Sequence, residues 1–170
     1  MNQRTAMCAT LVAVLGIGAW WLGEGMPLWA SSGPVTYANA TFDFSVQLPR
    51  GFSAYPPDSA TVPDSSGGAI VFTNSSGQTV QVEVTPYATT SNDLTLADLE
   101  QLQPATPYFN TQPISVGSDT TGMAYEELDG AFGDTAAVAA FHGGYLYELS
   151  TSEALKALFD SMLATWRFSN

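Results

Sequence analysis

The hydrophobic pattern divides the chain into a long apolar run near its start and shorter, alternating segments after it. Residues 5–23 carry no charge and follow Arg4 directly. At 1.5 Å of rise per helical residue this run would span about 28 Å, roughly the hydrocarbon thickness of a bilayer. The nearby positive charges lie upstream of it, which predicts that the chain after the run lies outside the cytoplasm. We therefore expect residues 1–30 to be a membrane anchor or a signal segment.

The sequence leaves two interpretations of this segment open. The apolar run is longer than the centre of a signal peptide, and Trp20 and Trp21 lie where an outer aromatic belt would fall, which favours a retained single-pass anchor. The small residues Ala30 and Ser32 are two positions apart, so cleavage after Ser32 is the alternative, and it would release a secreted or periplasmic protein. Residues 31–34 are expected to be a linker.

Residues 35–170 show the pattern of one α+β domain. Residues 42–48 alternate apolar and polar side chains, as a half-buried strand does, and residues 35–38 are expected to pair with them. The Pro-, Ser- and Gly-rich stretch 50–68 predicts an irregular surface loop. Further strands are predicted at 69–73, 79–85, 114–116, 122–128, 135–142 and 145–150, with Gly143 and Gly144 in the last hairpin turn.

Two helices are predicted outside the apolar run. Thr95 and Asp98 have the spacing of a capping box, and Pro104 ends the short helix that follows. Residues 155–166 repeat apolar side chains on one face, with Thr151 or Ser152 as the cap, and 166–168 are expected to form a short edge segment. Strands with few helices indicate α+β architecture: a central antiparallel sheet, arranged as a meander and flanked by helices.

The net charge of the domain limits the classes of partner that it can bind. From Ser31 onward the chain has three basic residues against fifteen acidic ones, and the net charge is −12. Such a surface repels phosphate backbones and anionic lipid headgroups, which argues against nucleic acid and peripheral membrane binding. The simpler interpretation of the charge is that it keeps an exported domain soluble, and the alternative is a protein partner with a basic surface. The only cysteine is Cys8, inside the apolar run, so the domain has no disulfide.

No combination of residues in the domain predicts an active site. The sole histidine, His142, lies beside Gly143 at a predicted hairpin tip, where we expect an exposed turn residue rather than a catalytic base. We therefore expect a protein without catalytic activity. An exported hydrolase that uses acidic residues is the alternative, and a deep pocket lined by several carboxylates would distinguish it.

The acidic stretch around residues 126–134 is the candidate cation site. Asp129 and Asp134 bracket a glycine-containing turn, and calcium binds oxygen ligands in loops of this kind. The spacing lacks the EF-hand register, and Asp and Gly are themselves common turn residues, so the simpler interpretation is an acidic turn without metal. A calcium-binding module with Asp129 and Asp134 as ligands is retained as a further alternative, and no other cofactor is expected.

Four segments resemble the PsbP-like superfamily: FDFSVQLPRGF at 42–52, YEELDG at 125–130, YLYELST at 145–151 and ATWRFSN at 164–170. The resemblance extends over most of residues 35–170. It implies an exported domain with a central antiparallel sheet and a terminal helix followed by an aromatic-basic-aromatic strand. Members of that family are mainly accessory or binding proteins, the best known being an extrinsic subunit of photosystem II. The resemblance thus implies an accessory or binding domain. Together with the apolar run and the missing catalytic residues, it leads us to expect a membrane-tethered accessory domain that engages a protein partner.

Overall fold

The computed structural model describes residues 33–55, 67–104, 106–130 and 133–169, without the side chains of residues 129 and 130. These residues belong to one compact unit, Ser31–Asn170. The predicted anchor at residues 1–30 lies outside the described residues. Within them, no helix has the length and apolar character needed to cross a membrane.

Ten strands and two short α-helices make up the domain within those ranges. The strands are β1 (Val35–Asn39), β2 (Phe44–Leu48), β3 (Phe52–Tyr55), β4 (Gly68–Asn74), β5 (Thr79–Pro86), β6 (Phe109–Val116), β7 (Thr120–Gly130), β8 (Gly133–His142), β9 (Tyr145–Ser152) and β10 (Arg167–Phe168). Helix α1 spans Leu96–Leu102, and a single 3₁₀ turn, Glu153–Leu155, leads into α2, which spans Lys156–Leu163.

The strands form two antiparallel sheets rather than the single central sheet that the sequence predicted. The small sheet has the order β1-β2-β10, and the large one has the order β3-β4-β5-β9-β8-β7-β6. The large sheet is not one meander, because two meanders meet where β5 pairs with β9, with Val82 opposite Leu149. The coarser prediction, antiparallel strands with a few helices, is confirmed.

The main core lies on one face of the large sheet, which we call the groove face. It bears Val82, Val138 and Leu149, and the small sheet and α2 cover it. Trp166, directly after α2, stacks on Phe44 with ring centroids 4.2 Å apart. A buried aromatic side chain removes about 150–250 Å² from water, so rings of this kind contribute strongly to the stability of a core.

The opposite face of the large sheet, which we call the α1 face, has a smaller core. Leu99 of α1 is fully buried there against Met123, Phe141 and Leu146. The chain before α1 is fastened to the sheet, since the Leu94 N–H donates to the Thr121 carbonyl oxygen at 2.9 Å. The α1 face is thus covered by a seven-residue helix and one loop, whereas the groove face is covered by the small sheet and α2.

Local signals in the sequence predict several of these elements correctly. The pairing of β1 with β2 and of β4 with β5 is confirmed. Thr95 and Asp98 form the predicted capping box, with the Thr95 N–H donating to Asp98 Oδ2 at 2.9 Å. Gly143 and Gly144 have φ of 58° and 83°, as a two-residue hairpin turn with positive φ requires.

Two local predictions are wrong. Residues 52–55 are not part of an irregular loop: they form β3, because Phe52 is buried against the main core and the strand pairs with β4. The predicted cap of the last helix is also wrong. Thr151 belongs to β9 and its hydroxyl donates to the Thr79 carbonyl oxygen at 2.7 Å, and neither Ser152 nor Leu155 makes a side-chain capping bond.

Candidate functional site

A groove of about 600 Å³ lies on the groove face, between α2 and the β6–β8 side of the large sheet. Its floor contains Ala124, Ala136 and Val138, and its wall contains Phe159 and Leu163 of α2. Alanine side chains rise little above the sheet, so the helix and the outer strands do not close on each other here. The small residues of β7 and β8 therefore create the groove.

Two pairs of polar side chains at the groove are bonded to each other. The Asn110 side-chain amide donates to the carboxylate of Glu126. On the α2 side, Lys156 forms an ion pair with Asp160, with Nζ and Oδ1 3.4 Å apart. This is the one salt bridge within the described ranges, and an exposed i,i+4 pair contributes only a few tenths of a kcal/mol, about 0.3–0.5 kcal/mol. The groove thus combines an apolar floor with a hydrogen-bonded rim.

Two large apolar side chains are exposed next to the groove. Phe109 is 42% exposed and Leu128 is 56% exposed. Phe109 lies directly opposite Glu126 in the β6–β7 register, so both side chains point to the same face. Leu128 follows two positions after Glu126, in the stretch of β7 between Glu127 and Gly130 where the register with β8 shifts. We call the groove together with Phe109 and Leu128 the groove surface.

Three carboxylates lie on the α1 face, on three different strands. Glu83 of β5 stands directly opposite Glu148 of β9, and Glu127 lies on β7. Gln103, at the C-terminus of α1, donates from Nε2 to Glu148 Oε1 at 2.7 Å. Like charges in directly opposed positions destabilise a sheet, so the Glu83–Glu148 pair is unfavourable when both are ionised.

The surroundings of Glu148 shift its protonation. Burial, with Glu83 and Glu127 as like charges, raises the pKa of Glu148 to about 7. Burial also raises the pKa of Glu127. Tyr108, which covers this region from the segment after α1, has its pKa raised to about 12, mainly by burial. Among the described carboxyl groups, Glu148 is thus one that burial and like charges keep protonated toward neutral pH.

No family model matches the chain, and no curated protein matches it. A search of solved structures gives a match to cyanobacterial PsbP (CyanoP) from Synechocystis sp. PCC 6803, solved in solution. The TM-score is 0.51 at 17% sequence identity, over 86% of this chain and 98% of that chain. The domain has a PsbP-like fold. The resemblance found in the sequence is thereby confirmed at the level of the fold.

His142 is not the exposed turn residue that the sequence predicted. It is the last residue of β8, half-buried, and its ring stacks on Phe168 of β10 with centroids 3.9 Å apart. Its Nδ1 lies 3.1 Å from the Thr120 hydroxyl. In this PsbP-like domain His142 therefore joins the two sheets, because the short terminal strand β10 brings Phe168 onto it.

The predicted cation site remains a prediction. Asp134 is exposed at the start of β8, and the side chain of Asp129 lies outside the described residues. Among the residues that the structure describes, no group of three or more acidic, His or Cys side chains is arranged to hold a metal ion. Asp134 and Asp129 do flank a hairpin, since Gly130 pairs with Gly133.

The features that sequence reasoning missed depend on distant parts of the chain. Glu148 meets Glu83 and Gln103, which lie 65 and 45 positions earlier, through strand pairing and helix docking. The alternating strand 145–150 indicates that Glu148 faces away from Tyr147 and Leu149, but not what covers it. An acidic hydrolase is expected to have a deep pocket lined by several carboxylates. The groove has two, Glu126 and Asp160, and each of them is bonded to a neighbouring side chain.

Proposed function

We propose that this protein is a membrane-tethered accessory domain without catalytic activity, placed outside the cytoplasm, and that it binds a protein partner through the groove surface. The exposed pair Phe109 and Leu128 beside an apolar-floored groove is the observation that carries the proposal. The PsbP-like fold supports an accessory role, and the apolar run at residues 5–23 supports a tether.

The groove surface combines apolar side chains that a partner could cover with polar groups at its edge. Burying a side chain such as Phe or Leu completely releases about 1.5–3 kcal/mol, and a small number of such anchors dominates most interfaces. The alanines of the floor leave space for an incoming side chain between Ile114 and Leu163. The bonded pairs Asn110–Glu126 and Lys156–Asp160 provide a polar rim.

The chemistry of the partner follows from charge. The domain carries fifteen acidic residues, and one of its three basic residues, Lys156, is neutralised at the groove by Asp160. Glu126 lies between the floor and the exposed Phe109. We infer that the partner presents an apolar side chain to the groove and a Lys or Arg beside it, where it meets Glu126. Charge complementarity of this kind speeds association and selects the partner.

Site-specific photocrosslinking tests this proposal in native membranes. A photoreactive residue at position 109 or 128 is expected to capture one defined protein. The same residue at position 35 is the matched control, because Val35 is also apolar and 51% exposed but lies on the small sheet. Capture from position 35 that equals capture from 109 and 128 would contradict a role for the groove surface.

The tether is tested separately. The full chain is expected to stay with membranes after carbonate extraction, while protease added outside spheroplasts digests the domain. Recovery of a soluble product that begins near Gly33 would show that the segment is a cleaved signal rather than an anchor. The proposal that the groove surface binds a partner would be unaffected.

A further inference from the structure

We propose that Asn110 is a positioning residue of the groove surface: the β-bulge that it forms in β6 turns the side chain of Phe109 onto the groove face. This inference rests on the proposed function, because Phe109 is one of the two exposed side chains that hold the partner there. It adds the feature of the backbone that puts this side chain beside the groove.

The register of β6 against β7 contains one extra residue. Gln112 lies opposite Ala124, and Phe109 lies opposite Glu126. Three steps along β6 thus correspond to two steps along β7, so one residue of β6 has no counterpart on its partner strand. Such an insertion is a β-bulge, and the strand is paired on both sides of it.

The extra residue reverses the direction of the side chain of Phe109. Gln112 lies on the groove face, because it stands opposite Ala124 of the main core. Side chains of a regular strand alternate between the two faces, and Phe109 precedes Gln112 by three positions. In a regular strand Phe109 would therefore lie on the α1 face, opposite Glu127. With the bulge it lies on the groove face, opposite Glu126.

Asn110 has a backbone conformation that few other residue types adopt. Its φ is 51°, and Asp43 is the one other non-glycine residue with positive φ in the part of the chain that the structure describes. Asn and Asp enter this left-handed region more readily than most residues, and β-branched residues rarely do. The Asn110 side-chain amide also donates to the Glu126 carboxylate, which ties the bulge to β7. Backbone and side chain of Asn110 thus both stabilise the bulge.

The bulge also satisfies two sets of contacts that a regular strand would separate. Before it, the Tyr108 ring packs edge-on against Tyr125 on the α1 face, with centroids 5.0 Å apart, and the Tyr108 hydroxyl lies 3.4 Å from the Leu99 carbonyl oxygen. After it, Ile114 and Val116 pack in the main core on the groove face. A regular strand would place Tyr108, Ile114 and Val116 on one face, because even numbers of positions separate them. The extra residue lets both sets of contacts form and leaves Phe109 beside the groove.

Three variants at this position test the proposal through the affinity of the full chain for the captured partner. Asn110→Val loses the Glu126 bond and opposes a positive φ, so binding is expected to weaken about fivefold to 30-fold. Asn110→Gly keeps the positive φ, and deletion of Asn110 leaves a regular strand in which Phe109 still faces Glu126, so both are expected to bind within about threefold of the wild type. Asn110→Ala opposes positive φ less than valine does, and it replaces Asn110→Val if that variant folds poorly.

Cross-strand nuclear Overhauser contacts in the full chain, held in detergent, report the register without a partner. In the wild type, in Asn110→Gly and in the deletion variant, Phe109 is expected to lie opposite Glu126. In Asn110→Val it is expected to lie opposite Glu127, and the contact between Tyr108 and Tyr125 is expected to be lost.

The outcomes separate a positioning role from direct contact with the partner. If Asn110→Gly and the deletion variant bind as weakly as Asn110→Val, the Asn110 side chain itself contacts the partner and the proposal is overturned. Wild-type register and wild-type affinity in Asn110→Val would overturn it as well. Phe109→Ser tests the proposed function separately: wild-type affinity in that variant would show that Phe109 does not hold the partner, while the register contacts would still show whether Asn110 places it.

Discussion

The two faces of the large sheet are covered in different ways, and we expect them to differ in stability for that reason. On the groove face a second sheet and α2 bury a row of aromatic rings, with Trp166 stacked on Phe44. On the α1 face a seven-residue helix covers a smaller core and meets the ionisable Glu148 at its end. Free energies of local opening vary across a protein with the number of buried apolar contacts. We therefore expect the α1 face to open first.

The largest expected effect is on the groove face. Trp166→Ala is expected to lower the free energy of unfolding by about 3–5 kcal/mol, as a large-to-small change at a fully buried site does. The indole N–H of Trp166 has no hydrogen-bond partner within the described residues, so packing alone accounts for the loss. Chemical denaturation measures it. Trp166→Phe, which keeps a ring on Phe44, is the control, and a loss under about 1 kcal/mol for Trp166→Ala would show that this face does not hold the fold.

A smaller and more local effect is expected on the α1 face. Leu99→Ala removes the one fully buried side chain of α1 and is expected to cost about 2–3 kcal/mol, toward the lower end for buried leucines. Hydrogen exchange should show faster opening of α1 with little change in β4 and β5. If exchange accelerates equally throughout the domain, the two faces unfold together and the comparison between them fails.

The pH dependence of stability tests the charge on the α1 face. The pKa of Glu148 is raised in the folded state, so its contribution to stability is complete below about pH 4.5 and is lost as pH rises to about 7. The free energy of unfolding should fall by up to about 1.4 kcal/mol per pH unit in that window. Glu127 acts in the same direction, whereas Asp98, whose pKa is lowered by hydrogen bonds from Thr95, acts only below about pH 4.

Glu148→Gln should flatten most of this slope, and urea denaturation at pH 5, 6, 7 and 8 measures it. A free energy of unfolding that rises with pH across the same window would contradict a raised pKa of Glu148 in the folded protein.

The smallest expected effect concerns the junction of the two sheets. His142→Ala removes the ring stacked on Phe168 and is expected to cost about 1 kcal/mol. His142→Phe, which keeps a stacked ring, should restore most of it. Because we propose a binding domain, neither change should affect partner capture. Loss of a measurable hydrolytic activity in His142→Ala, with the circular dichroism spectrum unchanged, would favour an enzyme instead.

The sequence predicts those parts of the fold whose signals are local. The β4–β5 hairpin, the Thr95 capping box and the Gly143–Gly144 turn each depend on residues within one short stretch. The pairing of β5 with β9 joins residues 59 to 71 positions apart, and alternation in each strand carries no information about its partner. The strand β3 has no such local signal, because its single buried side chain, Phe52, lies at the start of a Pro- and Ser-rich stretch.

The sequence predicts less of the candidate site than of the fold. The groove results from Ala124 and Ala136 lying on adjacent strands beside α2, and alanine in a strand gives no signal of its own. The sequence pointed to Asp129, Asp134 and His142 because they are chemically reactive residue types. The raised pKa of Glu148 depends on Glu83 and on burial under α1, which tertiary structure alone brings about.

The central claim is that a partner binds the groove surface, and one affinity measurement tests it most directly. With the captured partner purified, the double variant Phe109→Ser/Leu128→Ser should bind about 10- to 100-fold more weakly than the wild-type domain, because two anchors lose their apolar contacts. Its circular dichroism spectrum should match that of the wild type, which shows that the loss of affinity does not come from unfolding. Val35→Ser should bind as the wild type does. Equal affinity of the double variant and the wild type would contradict the account.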